Sequence, residues 1–472
     1  MTVDIGGLLA RELGPGQVLG PEAAERLDDY GRDECDDQRF RRRPDCVVLA
    51  ERREDVEAVL RLCRERRVPV TPRGAGSGKA GGCVPLEGGV VLSTERMARI
   101  RAIDEDDLVA VVEPGVVTGL LQEEVEARGL FYPPDPASLA FCSLGGNVVT
   151  NAGGPRAFKY GVTRHYVLGL EVVLMGGEVL RVGGRTVKRS CGYDLTGGFV
   201  GSEGTLAVAT EIVLELIPRP PAVRTALAVF PDVRVAGAAV TALLRRGFRP
   251  RTLELMDRTC IEHTVGVTAY QFPRGAGAAV LFELDGEEQA LGPALERAGL
   301  VCEDAGAREV LVAQSERDRR DLWQARRELS MLLRAGNRCK VSEDICVPRG
   351  ALGEMLARLD RLAADTGIRC ATFGHAGDGN LHAQMLLDGD PADPDVGALV
   401  ERALARLFRD TVDLGGTLSG EHGVGAAKAR FIPLEMPPAL IEWQRRVKRL
   451  WDPDGLLNPG KVLPAAPSRC SE

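Results

Sequence analysis

The sequence predicts an α+β protein in which two sheet-containing domains follow each other along the chain. The first indication is a βαβ-like unit, with a buried strand at residues 46–50, an amphipathic helix at 54–67 and a short strand at 68–72. The second is a run of short strands and Gly-rich turns that ends at the proline-rich segment 218–221. The third is the alternation of helices and strands over residues 222–420, which is typical of a second α+β domain.

The composition fits a globular protein of two or three domains, with 472 residues of which 44% are hydrophobic and 27% charged. A net charge of -8 argues against nucleic acid as the main partner. The N-terminus has no signal-peptide pattern, and no run of about 18 apolar residues occurs, so we expect a cytoplasmic protein without a transmembrane helix. The 12 cysteines form no C-x-x-C pair, so we expect no iron–sulfur cluster or cysteine zinc site on this chain.

A glycine loop at residues 72–82 follows the second strand of the βαβ-like unit. Its five glycines expose backbone N–H groups that can wrap a diphosphate. It is not a Walker A loop, because no Gly-Lys-Ser/Thr closes it, and it opens no helix as a Rossmann loop would. On its own it is equally well a flexible surface loop. Further small-residue clusters at 133–136, 145–154, 160–161 and 201–205 favour close packing of backbone against a large planar ligand.

Three of the five histidines fall within a short part of the chain: His375, His382 and His422. Residues 373–382 predict a strand, a tight turn and a second strand, which brings His375 and His382 together. Two imidazoles and a carboxylate such as Glu421 form a common ligand set for a divalent metal such as zinc. The alternative is a set of histidines that hydrogen-bond within a polar core. Because all three are flanked by glycine-rich segments, we favour a functional site.

These glycine clusters together resemble the FAD-binding domain of the vanillyl-alcohol oxidase/p-cresol methylhydroxylase superfamily. The histidine motifs narrow the resemblance to the branch that contains the glycolate oxidase FAD subunit, D-lactate dehydrogenase and D-2-hydroxyglutarate dehydrogenase. The resemblance implies a two-part FAD-binding domain of the p-cresol methylhydroxylase type at residues 42–220, after an N-terminal helical segment at 1–41. It also implies a substrate or cap domain with an antiparallel sheet and the metal site at 221–425, and a C-terminal helical segment at 426–472 that returns to the FAD domain.

The same resemblance implies that FAD is bound without a covalent link, so His165, Cys142 and Cys191 are not expected to attach it. The residues implied to contact FAD are Pro72, Arg73, Gly74, Ala75, Gly76, Ser77, Gly78, Gly81, Gly82, Pro134, Asp135, Gly145, Gly146, Asn147, Asn151, Gly153, Gly154, Tyr160, Gly161, Gly201, Glu203, Gly204 and Asn458.

In this branch the positions of His375, His382 and Glu421 are metal ligands, zinc being the expected ion, and that of His422 is the general base. The chemistry is consistent, because alcohol oxidation needs a proton acceptor, a hydride acceptor and a cation that polarises the hydroxyl.

A cation is also needed for the substrate carboxylate, and an arginine suits planar bidentate contact. The resemblance implies Arg326 for this role in preference to its neighbour Arg327, with Ser330, Lys340 and Asn380 as further substrate-binding residues.

The predicted function is therefore FAD-dependent oxidation of a small D-2-hydroxy acid, such as glycolate or D-lactate, to the 2-oxo acid. Two alternatives stay open: an alcohol, phenol or amine oxidase of the same superfamily, and a flavin-carrying subunit that only transfers electrons. The candidate electron acceptors are a separate iron–sulfur subunit, an electron-transfer flavoprotein, a quinone or dioxygen. Through such a partner a cytoplasmic protein could lie peripheral to the membrane.

Overall fold

The computed structural model describes residues 4–390 and 392–465. Its architecture confirms the predicted α+β class: an N-terminal half built on two small sheets, a C-terminal half built on one large antiparallel sheet, and a last segment that returns to the first half. None of the described helices is both long and apolar enough to cross a membrane.

The first sheet has four strands in the order β1-β2-β4-β3, and β2 and β3 both run parallel to β4. The strands are β1 (Val18–Leu19), β2 (Cys46–Leu49), β3 (Val70–Arg73) and β4 (Val90–Ser93), accompanied by helices α1 (Ile5–Glu12), α2 (Ala24–Tyr30) and α3 (Arg53–Arg66). The run of β-branched and other apolar residues in β2 is buried on both faces, and α3 covers it with Val56, Val59 and Leu60. The N-terminal segment is not purely helical as predicted, because its strand β1 pairs with β2.

The second sheet is antiparallel, with five strands in the order β5-β6-β10-β8-β9. Its strands are β5 (Ile100–Asp104), β6 (Val109–Val112), β8 (Val167–Val173), β9 (Val179–Gly183) and β10 (Val208–Glu215), and a separate two-residue pair joins β7 (Leu130–Phe131) to β11 (Ile217–Pro218). The helices of this part are α4 (Thr118–Glu126), α5 (Leu144–Thr150), α6 (Ala157–Tyr160) and α7 (Leu195–Phe199).

Helix α5 lies in the small-residue cluster at 145–154, for which the sequence analysis predicted close backbone packing but no helix. Ser143 begins it by accepting a hydrogen bond from the Gly146 N–H, and Asn151 ends it in the left-handed conformation, with φ at 52°. Gly145 is required within it, since a Cβ there would lie 2.6 Å from the Cβ of Pro114. Gly145 therefore marks close packing of α5 against Pro114.

The large sheet is antiparallel throughout, with seven strands in the order β15-β12-β14-β13-β17-β18-β16. Its strands are β12 (Ala222–Phe230), β13 (Thr252–Asp257), β14 (Ala278–Gly286), β15 (Glu309–Val312), β16 (Cys339–Cys346), β17 (Arg369–His375) and β18 (Asn380–Leu387). Four helices pack on one face: α8 (Val233–Arg245), α10 (Glu288–Asp304), α13 (Leu352–Thr366) and α14 (Pro394–Asp413). Three cover the other face: α9 (Arg258–Thr264), α11 (Glu316–Arg327) and α12 (Leu329–Ala335).

The C-terminal segment begins with helices α15 (Ile432–Glu435) and α16 (Pro438–Trp451) and then joins the first half of the molecule. Val70 in β3 donates its N–H to the Leu456 carbonyl, and the Asn458 N–H returns a hydrogen bond to Val70. The Trp451 ring lies 5.3 Å from that of Phe199 in α7. The C-terminal segment around Leu456 and Asn458 therefore packs against β3.

Candidate active site

A cavity of about 620 Å³ lies between the two halves of the molecule. Its walls on the N-terminal side are the 72–82 loop, helix α5 and the start of β10. Residues of α12, Lys340 in β16 and the pair Glu421–His422 close it from the C-terminal side. This size is within the range of cofactor and substrate sites.

Most of the residues predicted to contact FAD lie on this wall. They are Pro72, Arg73, Gly74, Ala75, Gly76, Ser77, Gly78, Gly82, Gly145, Gly146, Asn147, Gly153, Glu203 and Gly204. After β3 ends at Arg73, the rest of the 72–82 loop has no regular structure and turns at Gly76, whose φ is 72°. Its backbone can therefore approach a large ligand without side-chain obstruction, which fits the diphosphate of FAD.

The remaining predicted FAD contacts are not among the residues that line this cavity. They are Gly81, Pro134, Asp135, Asn151, Gly154, Tyr160, Gly161, Gly201 and Asn458. Tyr160 does not point into the cavity, because its hydroxyl donates to Asp285 in the large sheet at 2.5 Å. Asp135 is engaged by Arg156 at 3.1 Å. Tyr160 and Asp135 therefore hold neighbouring segments together.

Asn458 and Glu203 tie three segments around the cavity together. The Asn458 amide donates to the carbonyls of Gly82 and Glu203, at 2.9 and 2.8 Å. The Glu203 carboxylate accepts the N–H groups of Val424 and Gly425, both at 2.7 Å. The glycine loop of the first half is thereby fixed to the segment that carries Glu421 and His422.

The histidine cluster forms on the hairpin of β17 and β18, as the sequence predicts. In this hairpin His382 lies opposite Phe373, and the rings of His375 and His382 are 5.3 Å apart. One oxygen of Glu421 lies 3.3 Å from His375 Nε2 and 3.4 Å from His382 Nε2. The three candidate ligand atoms all lie within 4.8 Å of one another, which fits a single divalent cation.

Behind this cluster lies Glu254 of β13, a fully buried carboxylate that the sequence analysis did not single out. It is 2.6 Å from His375 Nδ1 and 2.6 Å from Arg326 Nη2. Burial alone would lower the pKa of His375, but the carboxylates of Glu254 and Glu421 raise it well above its ordinary value. A carboxylate on the second nitrogen is the usual partner of a metal-binding histidine, so the contact suits a metal site.

His422 lines the cavity beside this cluster, with its ring stacked on His382 at 5.2 Å. Its Nδ1 lies 3.4 Å from the carboxylate of Asp344, which is fully buried in β16. Desolvation lowers the pKa of His422, so the imidazole is neutral near neutral pH and can accept a proton.

Asp344 also organises the loop on which His422 lies. One of its oxygens accepts the consecutive N–H groups of Gly420, Glu421 and His422, at 2.7, 2.7 and 3.1 Å. The other is 2.6 Å from the buried Lys428 ammonium. Burial by itself would raise the pKa of Asp344, but the charge and hydrogen bond of Lys428 and the backbone N–H of Glu421 hold it far below its usual value. The carboxylate is therefore ionised and fixes both Glu421 and His422.

The residues predicted to bind the substrate carboxylate do not all face the cavity. Arg326 is buried against Glu254, and its guanidinium lies 4.6 Å from the Phe373 ring centroid. Asn380 is also directed away, since its amide donates to the Ile345 carbonyl at 2.9 Å. Neither is among the residues that line this cavity, so their predicted contact with substrate stays a prediction.

The cations on this wall include Arg327 and Lys340 instead. Within the described residues Arg327 has no hydrogen bond or ion pair, and its guanidinium rests on the Trp323 ring at 5.2 Å. Lys340 donates to Ser330 Oγ at 2.9 Å, and Ser330 also lines the cavity. Burial lowers the pKa of Lys340 to about 8. These three groups form a face that can accept a carboxylate.

None of the three residues considered for covalent flavin attachment reaches this cavity. His165 is exposed and accepts the Val162 N–H, Cys142 is buried beside Thr118, and Cys191 is exposed. The cysteine on the wall is Cys83, and burial raises the pKa of its thiol to about 11.

Two protein families match the chain, one for each half. The family described as "FAD binding domain" matches residues 44–183, and the family described as "FAD linked oxidases, C-terminal domain" matches residues 219–462. The second family includes the histidine hairpin, Asp344 and the loop with Glu421.

Similar proteins extend over nearly the whole chain. The glycolate oxidase subunit GlcD of Bacillus subtilis is 39% identical over 454 residues, which are 95% of this chain and 95% of that protein. A D-lactate dehydrogenase of Anaerostipes hadrus is 35% identical over 460 residues, 96% of each chain. Among solved structures, 4-ethylphenol oxidase from Gulosibacter chungangensis matches with a TM-score of 0.79 and 21% identity, over 98% of this chain and 97% of that one. Substrate-bound p-cresol methylhydroxylase matches with a TM-score of 0.76 and 18% identity, over 97% and 96% of the two chains. At these identities the solved structures show the shared fold alone.

Proposed function

This chain belongs to the family of FAD-linked oxidases, and from that premise we propose that it oxidises a small D-2-hydroxy acid to the 2-oxo acid. One observation carries the proposal. His422, Glu421 and Lys340, whose ammonium can bind a carboxylate, lie on one wall of the cavity, opposite the glycine loop. A phenol or simple alcohol would need no such cation. The names of the glycolate oxidase and D-lactate dehydrogenase relatives support the same substrate class.

The substrate carboxylate is proposed to bind the Lys340 ammonium, the Ser330 hydroxyl and the Arg327 guanidinium. Lys340 and Ser330 are already 2.9 Å apart and are held on adjacent elements, so they need little reorganisation. Arg327 can offer a planar pair of N–H donors because no described carboxylate occupies it.

Oxidation removes a proton from the hydroxyl oxygen and a hydride from the carbon that carries the hydroxyl. His422 is the proposed proton acceptor, since it faces the cavity and its buried partner Asp344 stabilises the imidazolium that forms. The 72–82 loop and α5 would hold FAD, which would supply the hydride acceptor.

His375, His382 and Glu421 are the proposed ligands of one divalent cation, for which zinc is the best match. These three side chains would hold such a cation, which would polarise the substrate hydroxyl as a Lewis acid, while His422 would accept the hydroxyl proton. Glu254 and Arg326 are then supporting residues, because they fix the ring of His375 from behind.

The electrons are proposed to leave the flavin for a separate iron–sulfur or electron-transfer protein. The Bacillus relative and its Escherichia coli counterpart, which is 39% identical over 440 residues, are both named as subunits. No C-x-x-C pair occurs in the present chain.

The test is anaerobic mixing of the FAD-loaded protein with a panel of substrates while the flavin absorbance is followed. The panel consists of glycolate, the D and L isomers of lactate and of 2-hydroxyglutarate, and a phenol without a carboxylate. We expect bleaching by glycolate or by a D-2-hydroxy acid, and none by the phenol. Bleaching by the phenol alone would contradict the proposal, and so would a flavin that none of these acids reduces.

A further inference from the structure

Helix α16 exposes a stripe of large apolar side chains to solvent. Leu440, Trp443, Val447 and Leu450 are spaced as one face of a helix, and their exposed fractions are 45%, 62%, 46% and 74%. The helix is attached to the molecule through a different face, on which Ile441 is buried. The stripe is therefore not needed to hold α16 in place, and exposed patches of this kind mark interaction surfaces.

The stripe has a basic rim. Arg446 and Arg449 are 56% and 55% exposed on the side of the helix next to it. A single carboxylate, Glu442, is shared among Arg449 at 2.7 Å, Arg446 at 3.6 Å and Arg445 at 4.0 Å. This face is therefore positive although the whole chain has a net charge of -8.

A second exposed segment of the same character leads into helix α7, which contacts the end of α16. In the loop between β9 and α7, Val187 is 68% and Tyr193 96% exposed, and the neighbouring Lys188 is also exposed. The loop leads into α7, whose Phe199 packs on Trp451 at the end of α16. Two connected segments thus each combine protruding apolar side chains with cations.

We propose that α16 and the loop before α7 dock the protein on an anionic lipid surface. Apolar side chains with Trp or Tyr, beside a rim of arginine, enter the headgroup region while the cations meet lipid phosphates. A second copy of this chain fits less well, because two arginine rims would repel each other. A fixed protein groove is also a poorer match for Tyr193, which makes almost no contact with its own fold. The proposal does not depend on the substrate.

Sedimentation with sucrose-loaded vesicles of phosphatidylcholine, with or without phosphatidylglycerol, tests the proposal on the full-length FAD-loaded protein. We expect binding to the anionic vesicles alone, and weaker binding as salt is raised. The double variant Trp443→Glu/Leu450→Glu should lose binding by at least about tenfold, and so should Arg446→Glu/Arg449→Glu. Leu300→Glu is the matched control, because Leu300 is 53% exposed on α10 of the other half, and it should bind like the wild type.

Flavin content and melting temperature show whether each variant is folded. If Trp443→Glu/Leu450→Glu does not fold, Arg446→Glu/Arg449→Glu still tests the proposal. Three results would overturn the proposal: no sedimentation with anionic vesicles, equal binding to neutral vesicles, or full binding by the folded arginine variant. Light scattering provides a further test. A dimer that Trp443→Glu dissociates would assign the stripe to a second copy instead.

Discussion

At the scale of single residues, three buried carboxylates organise the candidate site. Glu254 contacts the second nitrogen of His375, Asp344 fixes the loop of His422, and Glu203 joins that loop to the flavin side. Each is buried, and each is engaged by several donors or cations. Removing one of them therefore leaves unpaired groups and disturbs more than one contact.

Arg326 and Arg327 are adjacent in sequence, but we expect their substitution to affect different properties of the enzyme. Arg327→Ala should raise KM for the hydroxy acid about 10- to 100-fold with normal metal content, because it removes a charge-assisted contact to the carboxylate. Arg326→Ala should lower metal content and kcat, because it leaves Glu254 unpaired behind His375. Steady-state kinetics and metal analysis of both variants decide the matter. If Arg326→Ala instead raised KM and Arg327→Ala lowered metal content and kcat, Arg326 would be the residue that binds the substrate carboxylate.

We expect Lys340 to set an alkaline limit on the reaction. Since burial lowers its pKa to about 8, the ammonium is present below that pH and is lost above it. We therefore expect kcat/KM to fall as pH rises through about 8, while Lys340→Arg, which stays charged, should abolish this limb. An unchanged pH profile in the Arg variant would show that another group titrates there.

Asp344→Asn should slow flavin reduction by about 100-fold or more, because the neutral amide no longer stabilises or orients the His422 imidazolium. Stopped-flow reduction at saturating substrate measures this effect, with FAD and metal content determined on the same samples. Glu343→Gln is the control, since Glu343 is the neighbouring carboxylate beside Lys428 but does not reach His422. Equal losses in the two variants would indicate a general packing defect.

At the scale of elements, the predictions succeeded where the pattern is local. The hairpin that joins His375 to His382 follows from seven residues of strand, a tight turn and a second strand, all within one segment. The 72–82 loop was likewise predicted because its glycines are contiguous. Short-range turn chemistry is sufficient in both cases.

The predictions failed where a contact depends on pairing between distant strands. Glu254 reaches His375 because β13 pairs with β17, and Asp344 lies opposite His382 because β16 pairs with β18. Neither register can be read from local sequence. The contact of Arg326 with Glu254 could not be predicted for the same reason, since the two residues are 72 positions apart in the chain.

Asn458, in the C-terminal segment that pairs with β3, should contribute to the affinity for FAD. Asn458→Ala removes two hydrogen bonds that hold the 72–82 loop and Glu203, so we expect the Kd for FAD to rise roughly tenfold or more. Titration of the deflavinated protein with FAD measures this change. Asp454→Ala, which removes only surface contacts to Arg64 and Arg67 in the same segment, should bind FAD like the wild type. Equal affinity of Asn458→Ala would show that this link is not needed.

At the scale of the whole molecule, the site exists only because two halves meet. The glycine loop and α5 belong to the first half, the histidine hairpin and Asp344 to the second, and the C-terminal segment connects them. An FAD-linked oxidase built in this way can hold its flavin on one wall and its proton acceptor on the other, so that a substrate between them contacts both.

The most direct test of this account is the rate of anaerobic flavin reduction by the preferred hydroxy acid in His422→Asn. His375→Ala serves as the comparison, because it should lose the metal as well as activity while keeping FAD. The account predicts that His422→Asn keeps wild-type FAD and metal content but is reduced about 100- to 10,000-fold more slowly, because only the proton acceptor is missing. Reduction of His422→Asn at the wild-type rate would contradict the account at its centre.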